Sequence, residues 1–513
     1  MLYTYKVPFT QPNSYKSSIS SSPLPSKMRL SVKTPNSPTP VMAEVEDGEP
    51  LSPWATFYRQ PQFNCNIIFI LGFGKIITIK EIKAGLEVAL LRHPRFSSIQ
   101  LADNSWRQKL RWVPTKVNLD EHVFLADPGP EATAAAGDPT VGDLYVENYI
   151  AGLSSSPLDY SRPLWDLHLL AIRTSEAPCV AVFRLSHSIG DGISLMSLLH
   201  ACTHRTSDPE SLPSLPKTRR RPAAVAACFG RLIFLRWIWA FLIYAWNTLI
   251  EVILLISTAI SLKDTKTLIM GEEGVEYRPK RIVHRTLCLD DIIAIKNMIG
   301  CTINDVLVGV TSAALSRYLS RRYGGFLPKD LRIRTFLIAN IRRISGINDL
   351  ADMMKEGSEA KWGNRIGVFL LRLPVIKCED PLDYVRNGAA ITDKKKKSWA
   401  AILTHKSFLL ISKCLGTKVA MAFLYRIASN TTLSFSNIVG PIEEVSFCGS
   451  PLIYIAPSVY GHPQALMVHV LSYMNKIKVV IAVDELAIPD PHRLLADITD
   501  SLQIMKDAAT SAT

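Results

Sequence analysis

Cys179-Val-Ala-Val-Phe-Arg-Leu-Ser-His-Ser-Ile-Gly-Asp-Gly192 is the stretch on which the reading of this chain turns. Its first seven residues are rich in β-branched and aromatic side chains and read as a buried strand. After it, the apolar residues of Ile193-Ser-Leu-Met-Ser-Leu-Leu-His-Ala-Cys202 recur at helical spacing. His187 is thereby placed on a strand-to-helix turn, with Gly190 and Gly192 on either side of Asp191. Glycines let backbone or substrate come close, and an aspartate at a helix mouth can cap its free N–H groups. A histidine there can take a proton near neutral pH, and a neighbouring acid can orient its ring. An isolated H-x-x-x-D-G is about as often an ordinary buried histidine, so the surrounding chain has to decide.

The chain has 513 residues, room for two or three domains, and 48% hydrophobic residues, a globular composition. Its formal net charge of +13 suggests an anionic partner such as a phosphate-bearing co-substrate or acidic lipid headgroups. No nucleic-acid reading module accompanies the charge. Nine cysteines without any C-x-x-C pair indicate neither a disulfide framework nor a zinc site, and a reducing compartment fits them. Residues 1–48 read as a disordered extension. The first 43 are rich in Ser and Pro, contain no Asp or Glu, and lack the apolar core of about 7–15 residues that a secretory signal needs. Ser-rich, acid-poor composition also suits an organelle transit peptide, but amphipathic helical character is slight.

Order is expected from Glu49-Pro-Leu-Ser-Pro53 onward. Asn64 to Phe73 reads as a strand, Ile79 to Arg92 as an amphipathic helix stopped by His93-Pro94, and Asp127 to Asp143 as a Gly-, Ala- and Pro-rich loop. Pro157-Leu-Asp-Tyr-Ser-Arg-Pro-Leu-Trp165 leads into a strand at Leu167 to Ile172. Its plain reading is a turn whose Trp165 packs into the core. Alternating strands and helices assign 49–206 to one α/β (α+β) domain with mixed sheets and 274–513 to a second. Between them, 207–273 holds a basic linker, including Lys217-Thr-Arg-Arg-Arg221, and an apolar segment. The halves share no sequence repeat.

That segment, Trp237 to Leu262, has Glu251 as its only charge. As one helix it measures about 39 Å, long enough to cross a bilayer. A single span would put the two halves on opposite sides of a membrane, which a shared active site forbids. A hairpin broken near Asn247-Thr248, or a helix lying in the interface, keeps them together. Basic flanks and Trp237, Trp239 and Trp246 suit an anionic membrane surface; a buried soluble core helix is the plainer alternative.

Eight motifs then coincide in order with one family. They are Glu49-Pro-Leu-Ser-Pro53, His93-Pro-Arg-Phe-Ser97, the Pro157–Trp165 segment, the His187–Gly192 turn, Asn304-Asp305 within Thr-Ile-Asn-Asp-Val-Leu307, Asn340-Ile-Arg342, Trp362-Gly-Asn364 and Ser436-Asn-Ile-Val-Gly-Pro441. From residue 49 onward the chain resembles the plant wax ester synthase/diacylglycerol acyltransferases, CoA-dependent acyltransferases of the chloramphenicol-acetyltransferase-like fold. It departs from many relatives in carrying Ser186 where they have a first histidine, and in its long N-terminal extension.

The resemblance implies two pseudo-symmetric domains with mixed sheets meeting along a central tunnel, with His187 as general base between acyl-CoA and a fatty alcohol or diacylglycerol. Asp191 would be structural and pair with an arginine, Arg342 being the candidate. Asn304 would steady the oxyanion or His187, or else simply cap the helix from about 304 to 323. Gly190 and Gly192 would shape the turn, while Trp165 and the run from Ser436 and Asn437 to Pro441 line or brace the tunnel. Acyl-CoA would be a co-substrate with no permanently bound cofactor, the partner a membrane surface rather than nucleic acid, and the location the cytosolic face of the endoplasmic reticulum, with plasma membrane or plastid as alternatives. A soluble acyltransferase for phenolic alcohols would usually carry a late Asp-Phe-Gly-Trp-Gly, absent here. A non-catalytic lipid-binding protein would not need His187 and Asp191.

Overall fold

Asn66 to Phe73 is apolar on both faces because this strand, β2, lies inside a sheet covered on both sides. It belongs to a computed structural model that describes residues 48–511 apart from 61–62, 104–108, 127–137, 209, 215–229, 343–346, 348, 356–357 and 359–360, and only the backbone of 230–234. The first sheet runs β5 (Val123–Ala126), β6 (Trp165–Leu170), β7 (Cys179–Ser186), β2, β14 (Ser450–Tyr460), β13 (Val445–Phe447) and β8 (His204–Arg205). Only β5 and β6 pair in parallel. Alternation along β7 separates two cores: Cys179, Ala181 and Leu185 join Phe69 and Leu71, whereas Val180 and Val182 join Ile68 and Ile70. A slip of one residue would exchange the faces. Arg184, buried on this strand, makes a two-pronged pair with Asp166 of β6, Nε–Oδ1 3.0 Å and Nη2–Oδ2 2.6 Å.

The second sheet runs β11 (Ile366–Arg372), β10 (Arg334–Asn340), β12 (Leu433–Val439), β15 (Leu466–Tyr473), β16 (Lys476–Val483) and β9 (Arg281–Cys288). Here β12 is parallel to both its neighbours and the other pairs are antiparallel. A small third sheet holds β1 (Glu49–Pro50), β4 (Leu110–Pro114) and β3 (Ser98–Ala102). The architecture is α/β with mixed sheets.

The division into 49–206 and 274–513 needs correction. Residues 445–460, from the second half of the chain, complete the sheet of the first half, with β14 pairing along all of β2. The strand returns to the second sheet through Gly461. A left-handed φ of +86° and a Cβ that would stand 2.3 Å from the Asn64 carbonyl oxygen restrict that corner to glycine. The N-terminal extension falls, up to residue 47, outside the described residues, as does the basic run 217–221. The loop expected up to Asp143 ends earlier, because Asp138 caps helix α2 (Pro139–Ser155).

The apolar segment is one unbroken helix, α4 (Gly230–Ile260), so of the two arrangements expected the hairpin near Asn247-Thr248 does not form and the single helix does. Those two side chains serve as docking points instead. Asn247 Nδ2 donates to the Lys397 carbonyl at 3.0 Å, and Thr248 Oγ1 accepts from Trp399 N at 2.9 Å. Glu251, buried, pairs with Lys395. Beyond them the helix lies on α6 (Ala400–Cys414), α7 (Thr417–Ser429) and β11. Residues 235–260 have the length and hydropathy of a membrane span. Because the two halves share a sheet, no single crossing can separate them.

Candidate active site

His187 follows β7 directly, and every part of its backbone is held. Its N–H donates to the Cys65 carbonyl at 3.0 Å, and its carbonyl accepts from Asn364 Nδ2 at 3.0 Å. The ring stacks on Tyr58, just past helix α1 (Pro53–Phe57), with centroids 4.1 Å apart and planes 19° from parallel. Nδ1 is sealed, without a hydrogen bond of standard geometry. Nε2 is therefore the nitrogen left to meet a substrate. Ser186, in the place of the first histidine, bonds Ser188 Oγ at 2.9 Å and stiffens the turn.

Asp191 spends both its oxygens on other partners. Oδ1 accepts from Ser194 N at 3.0 Å, capping α3 (Gly192–Ala201), and Oδ2 accepts from Arg342 Nη1 at 2.8 Å and Arg365 N at 2.9 Å. Arg342, its side chain only 1% exposed, also donates to Asn340 Oδ1, the Lys361 and Gly363 carbonyls and Ser194 Oγ. A lone buried charge would be expensive, and this one is fully partnered. The pair ties the histidine turn to β10 and the Trp362-Gly-Asn364 segment. Trp362 Nε1 completes the clamp by donating to the Ile189 carbonyl at 3.0 Å.

His187 lines a cavity of about 130 Å³ at the seam of the two sheets. Phe69, Asp191 and Gly192 come from the first half, and Ser434, Ser436, Asn437, His462 and His469 from the second. Gly192 lines it, and a Cβ there would meet Ile438 Cδ1 at 2.5 Å; Gly190 instead lies against Trp362. Trp165 takes its plain reading, buried with Nε1 donating to the Phe96 carbonyl at 2.9 Å and not among the cavity residues. Asn304 is not among the cavity residues. It is exposed and accepts from Asn437 Nδ2 at 2.5 Å, and the helix it opens, α5 (Ile303–Arg322), is capped by Thr302 and Asp305. The amide that holds the histidine is that of Asn364.

This site can be set beside known proteins. The model of the wax ester synthase/diacylglycerol acyltransferase catalytic domain matches residues 78–307, and that of the WS/DGAT C-terminal domain matches 362–506. The chain belongs to the wax ester synthase/diacylglycerol acyltransferase family. It is 43% identical to wax ester synthase/diacylglycerol acyltransferase 5 of Arabidopsis thaliana over 91% of this chain and 95% of that one. To number 11 of the same plant it is 42% identical, covering 91% and 96%. In fold it is similar to the Marinobacter aquaeolei VT8 wax ester synthase/diacylglycerol acyltransferase (TM-score 0.56, 16% identity, 90% and 100% covered). It also resembles a starter condensation domain of rhizomide synthetase RzmA solved with C8-CoA (TM-score 0.51, 14% identity, 92% and 97% covered).

For a wax ester synthase/diacylglycerol acyltransferase relative, the electrostatics of the cavity matter. Burial holds the His187 ring below its ordinary pKa, opposed by its own carbonyl, Asp191 and Asn364. His462 is pushed down to about 3 and His469 to about 4, by burial first and then by their histidine neighbours. All three imidazoles are neutral at pH 7. In the unfolded chain the last two would take up protons below about pH 6.5. The folded state refuses them, so stability is complete above that value and lost as pH falls toward 4. Each of the two should cost about 1.4 kcal/mol per pH unit over that window. Urea midpoints measured at pH 7 and pH 5 check this; equal midpoints would contradict it.

Tyr58, Asn364, His462 and His469 escaped the sequence reading as site residues. Asn364 had a signal in the Trp-Gly-Asn motif and His462 in the Gly461-His462-Pro463 break. Tyr58 and His469 had none, being brought in by tertiary packing alone.

Proposed function

We propose that this chain transfers a fatty acyl group from acyl-CoA to a long-chain alcohol, giving a wax ester, and to diacylglycerol, giving triacylglycerol, with His187 as general base. The observation that carries this is the His187 imidazole, on the strand-to-helix turn and with its Nδ1 sealed, facing a cavity lined by both halves of the chain. An alcohol is a poor nucleophile at neutral pH. His187 Nε2 takes the hydroxyl proton as the oxygen attacks the thioester carbon. The tetrahedral intermediate expels CoA thiolate as the C–S bond breaks, and the imidazolium returns its proton to that sulfur. No acyl-enzyme is needed. The cavity is read as the middle of a tunnel along the seam, entered by acyl-CoA at one mouth and the acceptor at the other. The net charge of +13 favours the CoA phosphates. Expression in a host without neutral lipids, fed defined alcohols, tests the reading; a host that stays free of wax ester and of added triacylglycerol refutes it. Because burial holds the base below its ordinary pKa, the acid limb of kcat/KM should lie at lower pH than that of a free imidazole. A half-fall at pH 7 or above would contradict a depressed His187.

We also read α4 as an interfacial helix on the cytosolic face of the endoplasmic reticulum. Trp237, Trp239 and Trp246 are 73%, 66% and 63% exposed, an unusual outlay of apolar surface for a soluble protein. Exposed Lys263, Lys266, Lys406, Lys413 and Lys418 stand on the same group of elements, as suits anionic headgroups. Replacing the three tryptophans by serine should release the protein from phosphatidylserine-containing vesicles in flotation. Tags after Ala132 and at the C-terminus should be equally protease-accessible in sealed microsomes; opposite accessibility would mean a crossing.

A further inference from the structure

A second apolar recess lies outside the His187 cavity. It is a groove of about 260 Å³ between α4, α6 and α7. Leu255, Ala259, Phe408 and Leu424 make its floor, and Ile256, Leu403 and Phe423 its rim, 55%, 40% and 48% exposed. Thr404 and Ser407 alone among its lining are polar, and the Thr404 hydroxyl is spent on the backbone, donating to the Val368 carbonyl at 2.7 Å. Ile253 and Ile260 on α4, Ile402 and Leu410 on α6, and Val419 on α7 are exposed too, so the three helices that form the groove also present apolar side chains to the outside. Lys406, Lys413, Lys418 and Arg426, all exposed, rise from the same two helices, α6 and α7. An apolar trough within a cationic surround complements the hydrocarbon of a membrane lipid beneath anionic headgroups.

The floor leads toward the base. Phe408 stacks on Trp54 with centroids 4.2 Å apart, Trp54 lies 6.4 Å from Tyr58, and Tyr58 stacks on His187. Leu255, Ala259, Leu424, Phe408, Trp54 and Tyr58 belong to one buried cluster. A chain of aromatic rings, Phe408, Trp54 and Tyr58, thus runs from the groove floor to the His187 ring. We propose that this groove is the acceptor's mouth of that tunnel: it binds the alkyl chain of the membrane-borne acyl acceptor, which reaches His187 from the lipid surface past the Trp54–Phe408 layer. This rests on the O-acyltransferase reading given above. Flexible, unbranched hydrocarbon fits a trough with almost no polar partners, whereas a phenolic or sugar alcohol would leave its hydroxyls unpaired there.

The test uses the full chain in detergent, where attachment to a membrane no longer limits the rate. Leu403→Trp and Ser407→Trp fill the rim without touching the catalytic turn. Each should lower kcat/KM for hexadecanol at least about tenfold and leave hexanol unchanged, with thermal melts and vesicle flotation as for the unaltered enzyme. A diazirine-bearing hexadecanol should cross-link to the α6–α7 peptides, and excess hexadecanol should suppress the label. Hexadecanol kinetics unaltered by both plugs, an equal loss for both alcohols, or labelling that avoids α6 and α7 would each overturn the groove. Absence of ester from either alcohol in the unaltered enzyme would instead overturn the O-acyltransferase reading, while the labelling experiment still reports on the groove.

Discussion

Replacing His187 with alanine should lower kcat by about a hundred- to ten-thousand-fold, the usual range for a lost general base, while the protein stays folded. The fold should survive because the hydrogen bonds at this position are made by backbone atoms: the N–H to Cys65 and the carbonyl to Asn364. The side chain contributes the stack on Tyr58 and little else. Acyl-CoA binding and vesicle flotation should therefore be retained. Ser186→Ala is the matched control. Its hydroxyl bonds Ser188 and stays out of the cavity lining, so activity should change little. Steady ester synthesis by the His187 variant, measured with radiolabelled acyl-CoA, would dismiss the proposed base.

The second large effect should come from Arg342→Met. This guanidinium serves Asp191, Asn340, Lys361, Gly363 and Ser194 together, and all but its edge is out of water. Removing it leaves the Asp191 carboxylate buried with only two backbone N–H partners. Such a loss costs about 3–5 kcal/mol, against about 5–15 kcal/mol for a whole domain. Much of the protein's margin would go, and the urea midpoint should drop accordingly. Asp191→Asn should cost less, since asparagine still caps α3 and Arg342 keeps four neutral acceptors. Activity should fall in both, because the turn bearing His187 is fastened through this pair. A melt of Arg342→Met matching the unaltered protein would mean that the clamp is dispensable.

What could be read from sequence follows the range of the interactions. The strand, turn and helix around His187 are local, and their apolar periods give them away. The pairing of Asp191 with Arg342 spans about 150 residues and was suggested only by family resemblance. Asn304 opens a helix and meets the cavity lining through Asn437, and the segment delivering an amide to the His187 backbone is Trp362-Gly-Asn364. A break at Asn247-Thr248 is one of two arrangements that keep the halves on one side of a membrane, the other being an interfacial helix, and the two polar residues leave that choice open. They are matched instead by the chain at 397–399, a tertiary contact invisible to any window on the sequence. Register across the two sheets was equally hidden. Nothing in Ser450–Tyr460 announces that its partner is Asn66–Phe73 rather than a neighbour.

That last pairing bears on how the enzyme comes into being. During synthesis the opening lobe emerges hundreds of residues before the strand that must sit beside β2, so its sheet waits with an uncovered edge until the ribosome has made residue 460. Acyl transfer can begin only after that strand has been made, and any chain cut short before that point would be an aggregation hazard rather than a weak catalyst.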